Sequence, residues 1–429
     1  MIFDRNFFAA LAAATLVLAA ASGAAHAEVP TSPAAKAAAP AVSHDAAAHD
    51  RAKSWQAILA KPSLAVAVAF DDSAAGGRLW RVAAKDGFLL ASHSDDLGHS
   101  FSAPVRINPE PEAILGDGEN RPKLLVRQGV LHVSWTRGLA GPMTGDIRYS
   151  RSVDGGKSFS APLTVNDNRD VISHRFEALV ADAQGRVALA WLDKRDLQTA
   201  QQAGQPYTGA AVYVAESRDG GKTFAANRKL ADHSCECCRV ALAQDADGMP
   251  VALWRHVFAS PDHTQIRDFA IARFDDAACA VPSRASEDGW QLNGCPHHGG
   301  DLAIDAQGSR HLAWFTGAAG KAGLWYRRID GAQARPAMSF GDAERQPGHA
   351  AIFVHGDSVH LAWQEYDGKA LRIRVMSSHD RGERWGQPAT QASTAHGADY
   401  PQLLGGRGKV WLAWNSADEG LRLWPLDAP

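Results

Sequence analysis

The chain has 429 residues, which at roughly 150 residues per domain would make two or three domains. It is 45% hydrophobic and 21% charged, with 39 Gly and 13 Trp against 6 Tyr, a core-forming globular mixture enriched in Trp that excludes a disordered or fibrous chain. A net charge of -3 and a pI near 6.6 give no global basic field, so composition supports neither nucleic acid nor an anionic membrane as a partner.

Residues 1–27 have the form of a secretory signal peptide: Arg5 in a short charged region that Asp4 weakens, an apolar run from Phe7 to Ala21, and Ala25-His26-Ala27 as cleavage site. The alternative, an uncleaved anchor helix, needs about 20 apolar residues, and this run has 15. No later segment is apolar enough to span, and no Cys near the cleavage site offers a lipid anchor. The mature chain is therefore expected in the periplasm or outside the cell, where disulfides are permitted. Residues 28–53 are rich in Ala and Pro and are expected to form a flexible linker, with His44 and His49 solvated within it.

From Leu64 onward short alternating apolar runs are separated by Gly, Asp and Asn turns, the pattern of an all-β chain. Seven of these runs close on Trp, at Trp80, Trp135, Trp191, Trp254, Trp314, Trp363 and Trp414, with intervals of 55, 56, 63, 60, 49 and 51 residues. A unit of that size holds four short strands and their turns, the content of one propeller blade. Each unit opens on another apolar strand, from Leu64-Ala65-Val66 in the first to Gln402-Leu403-Leu404 in the last, so the Trp strand is expected second. The expectation is one β-propeller domain over 54–429, with seven blades of four-stranded antiparallel sheets and Ser54–Leu59 supplying the outer strand of the last; if the first and last units merge, the count is six. A single closed ring is expected to be a monomer.

A second pattern fixes the register. Ser94-x-Asp96-x-Gly98-x-Ser100-Phe101 recurs at Ser152–Phe159 and at Ser217–Phe224, and in degenerate form at Ser378–Trp385. In a hairpin turn the Asp accepts backbone N–H groups, the Gly takes a positive φ, and the aromatic ring folds back to plug the blade edge. These residues resemble the Asp-box, or bacterial neuraminidase, repeat of sialidase-like propellers, over essentially Leu64 to the C-terminus. The resemblance implies the fold, and it implies that the boxes are structural, lying between third and fourth strands on the face opposite the ligand site.

The starts of the first strands and the loops after the Trp strands are then expected to open on one face, near the central channel. Two clusters stand out there, Cys235-x-Cys237-Cys238 and Cys295-Pro296-His297-His298, about one repeat apart and so on adjacent blades. Thiolate plus imidazole is the ligand set of copper or zinc, which makes Cys235, Cys237, Cys238, Cys295, His297 and His298 a candidate metal site. A disulfide joining Cys237 or Cys238 to Cys295 is the alternative, and both hold if a thiol is left over, since five Cys is an odd count. Cys279, in a turn far from the axis, is expected to be an isolated thiol. His349 also faces the channel by position, where a lone His is usually structural.

In sialidases three Arg bind the substrate carboxylate, a Tyr paired with a Glu is the nucleophile, and an Asp is the acid/base. By position the resemblance carries these roles to Arg121, Arg175 and Arg239, to Tyr400 with Glu365, and to Asp193 or Asp146. Arg121, in Asn120-Arg121-Pro122, is similar to the family's aromatic-Arg-Ile-Pro segment, with Asn in place of the aromatic. The family draws its second and third Arg from later blades, where this chain carries Cys and His. Two functions of different class stay open, metal binding at the axial mouth and exo-acting hydrolysis of acidic sugars, with a protein-interaction platform as a third.

Overall fold

The computed structural model describes residues 63–73, 77–260, 264–275 and 282–426. The expected signal peptide, the linker, the Ser54–Leu59 strand and Cys279 lie outside the described residues.

Seven separate antiparallel sheets follow one another along the chain. Blade one is Val66–Asp71, Arg78–Lys85, Phe88–Ser94 and Val105–Arg106; blade two runs from Lys123–Arg127 to Leu163–Thr164, and blade three from His174–Ala181 to Arg228–Ser234. Blade four runs from Ala241–Gln244 to Ser283–Arg284, blade five from Asp301–Ile304 to Met338–Phe340, and blade six from Gly348–His355 to Ala389–Thr394. Blade seven has three described strands, Gln402–Gly406, Lys409–Ser416 and Gly420–Pro425, and is a sheet distinct from blade one, so the count is seven. The first strand of every blade lies beside the first strands of both neighbours, including blade seven against blade one, which closes the ring.

The Trp strand is second in all seven blades. Because side chains alternate across a strand, each Trp commits to one neighbouring blade. Six of them face the preceding blade: Trp191 packs on Ile147 and Tyr149 of blade two, and Trp363 on Leu324, Tyr326 and Phe340 of blade five. Trp80 departs from the equivalence read in the sequence. It faces the following blade, against Val126 and Leu131, and its buried indole N–H has no partner. Three of the other indoles are capped by the residue two positions on, which alternation places on the same face: Trp191 by Asp193 (3.0 Å), Trp254 by His256 (3.4 Å) and Trp363 by Glu365 (2.8 Å).

All four box motifs form hairpin turns between third and fourth strands. In the first, the Ser94 hydroxyl donates to Asp96 (2.7 Å) and accepts the Gly98 N–H (2.7 Å), while Asp96 accepts the Ser100 N–H (2.9 Å) and hydroxyl (2.6 Å). Hydrogen bonds of this kind hold Asp96, Asp154, Asp219 and Asp380 below the usual carboxylate range. The aromatic ring packs on its own blade and also reaches the preceding one: Phe159 lies against Leu131 of blade two and Trp80 of blade one, Phe101 has Arg81 of blade one over its ring (3.8 Å) and meets Leu421 and Leu423 of blade seven, and Phe224 and Trp385 lie edge-on to Tyr149 (5.1 Å) and Tyr326 (4.8 Å) of the blades before theirs. The box glycine sits against the same neighbour, for a Cβ on Gly156 would strike the Trp80 ring and one on Gly221 the Tyr149 hydroxyl.

Two insertions rise from this frame. An α-helix, Arg195–Gln202, follows the Trp strand of blade three, and a short hairpin, Phe258–Ala259 with Gln265–Ile266, interrupts blade four.

Candidate functional site

The first strands of blades three and six begin with bulges, where register shifts next to Phe176 (φ 63°) and His349 (φ 53°). A positive φ at a bulky residue is a local cost, and it re-aims the flanking side chains. His233 (φ 57°), near the end of the outer strand of blade three, and His297 (φ 52°), in the segment leading into blade five, adopt the same backbone.

Glu119 is the hub of the mouth. From the loop before blade two it reaches across to accept the Arg239 N–H (3.0 Å) and Nη1 (2.9 Å) of blade four, the Gly299 N–H (3.1 Å) ahead of blade five, and it meets His349 Nδ1 of blade six at 3.3 Å. Burial alone pushes its pKa up, but Arg239 and His349 outweigh burial and hold it below the usual carboxylate range. Arg121 makes the corresponding tie to blade seven, donating to Asp399 (2.7 Å) and to the Tyr400 carbonyl (2.8 Å). Next to this hub four rings stack in series: Phe315 on His298 (4.2 Å), His298 on His349 (4.6 Å), and His349 on Tyr400 (3.6 Å). Burial pushes His298 down to about 3, so both it and His349, also lowered by burial, are neutral imidazoles at neutral pH; His298 Nδ1 is buried with no hydrogen-bond partner.

Beside the stack, Cys235, Cys237 and Cys238 converge. Their sulfurs all lie within 4.8 Å of one another, with Cys235 at 3.8 Å from Cys237 and 3.6 Å from Cys238, and the residues are 0%, 3% and 1% exposed. Arg267 Nη1 sits 3.0 Å from the Cys235 sulfur, Arg255 acts on Cys238, and Arg175 on Cys237. Arg255 is held by the carbonyls of Arg267, His298 and Phe315, and neither it nor Arg267 has a carboxylate within ion-pair distance among the described residues. The positive charge at this spot is answered by sulfur. Hydrogen bonds from the other two thiols, with Arg267, lower the Cys235 pKa against the cost of burial, whereas the Cys237 and Cys238 thiols are raised.

No pair of these sulfurs is at disulfide distance, and all four described Cys are free. A bond between Cys237 and Cys238 is disfavoured by the backbone: neighbouring Cα atoms across a trans peptide are about 3.8 Å apart, below the range that disulfides accept. Cys295 interacts with Cys237 but stands outside the trio and is exposed. His297 is exposed, and His298 belongs to the ring stack.

Of the residues carried over from sialidases, Arg121, Arg239 and Tyr400 meet in the network around Glu119 and Asp399, whereas Glu365 and Asp193 do not join them. Arg121 and Arg239 are paired with Asp399 and Glu119, and Arg175 lies over the Phe176 ring. Tyr400 stacks on His349, and burial raises its pKa. Strand alternation turns Glu365 with Trp363 toward blade five, where it also accepts the Asp342 N–H (3.1 Å), while Gln364 faces blade seven and reaches the Asp399 carbonyl. Asp193 is fully buried, taken up by Trp191 and Arg195 (2.8 Å), and Asp146 pairs with Arg137. Sequence reasoning missed Glu119 and Arg267. The polar run Asp117-Gly118-Glu119-Asn120-Arg121 before a first strand was the one available signal for Glu119.

The seven-bladed propeller expected from the repeats is the fold that the described residues adopt. No protein-family model matches the sequence, and no curated protein matches it. Among solved structures the chain is similar to a polysaccharide lyase of family PL25, an ulvan lyase (14% identity, 86% of this chain and 92% of that chain, TM-score 0.54). It is similar to the same lyase bound to -[GlcA(1-4)Rha3S]- (13% identity, 86% and 92%, TM-score 0.53). It is also similar to the polysaccharide lyase Uly1 (10% identity, 86% and 91%, TM-score 0.51). At these identities the likeness is one of fold: the chain is a seven-bladed propeller of the architecture that those lyases share.

Proposed function

We propose that the protein is a secreted, monomeric binding protein for a soft metal ion, Cu(I) before Zn(II), held at the mouth of the propeller by Cys235, Cys237 and Cys238. The observation that carries this reading is the buried sulfur trio. A soft cation about 2.3 Å from each sulfur needs sulfurs roughly 3.8 to 4.0 Å apart; two of the three separations here are 3.6 and 3.8 Å, and the third is within 4.8 Å. Three thiolates around one cation carry net negative charge, which Arg267, Arg255 and Arg175 offset. Three close sulfurs suit Cu(I), whereas a structural zinc site takes four ligands and would recruit Cys295 or an imidazole.

The test is elemental analysis with thiol counting on the protein exported with its own leader. One equivalent of copper or zinc per chain, lost in Cys238→Ser, is the expected result. A metal-free protein after growth in copper and in zinc, with the trio oxidised, would overturn it.

A second reading, an acidic sugar bound or cleaved at the same mouth, draws on the Tyr400–His349–His298 stack, which offers an aromatic platform and neutral imidazoles for proton transfer, in a fold shared with polysaccharide lyases. Arg121 and Arg239 weigh against a ready carboxylate clamp, because each already has a carboxylate partner. Incubation with uronate-containing polysaccharides and with sialosides, followed by detection of unsaturated products or released sugar, decides it; no product and no Tyr400-dependent binding removes this reading.

A further inference from the structure

We propose that Cys295 is the exchange ligand of the sulfur centre, the donor through which the ion enters and leaves the buried trio. This rests on the metal-binding reading above and assigns the centre to transfer rather than to static structural support.

The argument starts from access. The three trio residues are 0–3% exposed, so an ion seated there has almost no direct contact with solvent. Cys295 is the described thiol that reaches solvent, and it interacts with Cys237 of the trio. It comes from a different blade. The trio lies on the approach to the first strand of blade four, anchored by the Cys235 N–H bonded to the Arg255 carbonyl (2.9 Å), whereas Cys295 lies on the approach to blade five, in a stretch from Asn293 to Gly300 with no strand or helix. A donor on separate backbone can approach and withdraw without moving the other three sulfurs.

The exchange step balances without redox chemistry. As the Cys295 sulfur bonds to the ion it gives up its proton; the Cys237 sulfur releases the ion and takes up a proton; copper stays Cu(I) throughout. The same step in reverse loads the trio from a soft donor outside. In this route the incoming donor binds before the outgoing one leaves.

The test uses the mature full-length protein loaded anaerobically with one equivalent of Cu(I), with Cys295→Ser and Cys295→Ala beside wild type. Three quantities are read: copper stoichiometry, affinity by competition, and the rate at which a colorimetric Cu(I) chelator withdraws the ion. The expected result is unchanged stoichiometry, affinity within about threefold, and withdrawal slowed at least tenfold in both variants. A withdrawal rate within twofold of wild type overturns the proposal while leaving the metal centre standing. An affinity loss of a hundredfold or more also overturns it, because Cys295 is then a permanent ligand. If wild type itself takes up no Cu(I), the metal-binding reading fails first, and the exchange role with it.

Discussion

The two ends of the blades obey opposite rules. At the box end the same residues recur in four blades, and each loop satisfies its own Asp from within, so Asp96, Asp154, Asp219 and Asp380 form four closed copies of one solution. At the mouth, corresponding positions carry Arg121, Arg175, Cys238, His298, His349 and Tyr400, with only Arg and His recurring, and the partners come from other blades, as Glu119 takes its partners from blades four, five and six. Repetition with local satisfaction marks the frame. Variation with long-range satisfaction marks the mouth.

The contrast is tested hardest at Glu119. Glu119→Ala leaves the buried Arg239 and His349 without their carboxylate, and breaking a buried pair in this way costs about 3 to 5 kcal/mol. Thermal unfolding of the exported protein should show this as the largest single-residue loss among these predictions, and a change near zero would remove the hub from the argument. Gly156→Ala comes next. It combines a positive φ (77°) with a Cβ that strikes Trp80, and strain plus overpacking together cost about 2 to 4 kcal/mol. Gly155→Ala, at φ 70° but in open space, should cost clearly less, so the difference between the two isolates the contact with blade one.

Two smaller effects appear on acidification. Glu119 is depressed in the folded state, so its contribution is present above the unfolded glutamate pKa of about 4.3 and is lost as pH falls below it. The stability gap between wild type and Glu119→Gln should therefore narrow below that pH. His298 and His349 are lowered as well, so the unfolded chain binds more protons below the unfolded histidine pKa of about 6.5, and stability falls as pH drops through that value. Replacing His298 with Phe should flatten this slope between pH 6.5 and 5; an unchanged slope would place the titration elsewhere.

Much of the frame was legible in the sequence because its signals are local. Ser94 to Phe101 lie within one turn, and the Trp strands announce themselves by alternation alone. Even there the pattern misplaced Trp80, since a Trp at the end of an apolar run does not reveal which face of the strand it takes. The mouth was half legible. Position brought the two Cys and His clusters together, but Glu119 and His349 are 230 residues apart in sequence, and nothing near Glu119 says what it will meet. Whether three Cys close on one another or pair across blades depends on backbone angles at single residues such as His233, which leave no trace in composition.

The docked box aromatics have a mechanical consequence. They act as latches between consecutive blades at the one–seven, two–one, three–two and six–five seams, and the sequence carries no box in units four, five or seven. Blade four is therefore flanked by two seams without such latches, and it is the blade that Glu119 grips from the axis and that carries the sulfur trio. Four of the seven seams carry a box latch, and Glu119 reaches blades four, five and six from the axis, so if the sulfur centre takes an ion as proposed, filling it should slow amide exchange in blade four more than in blade two.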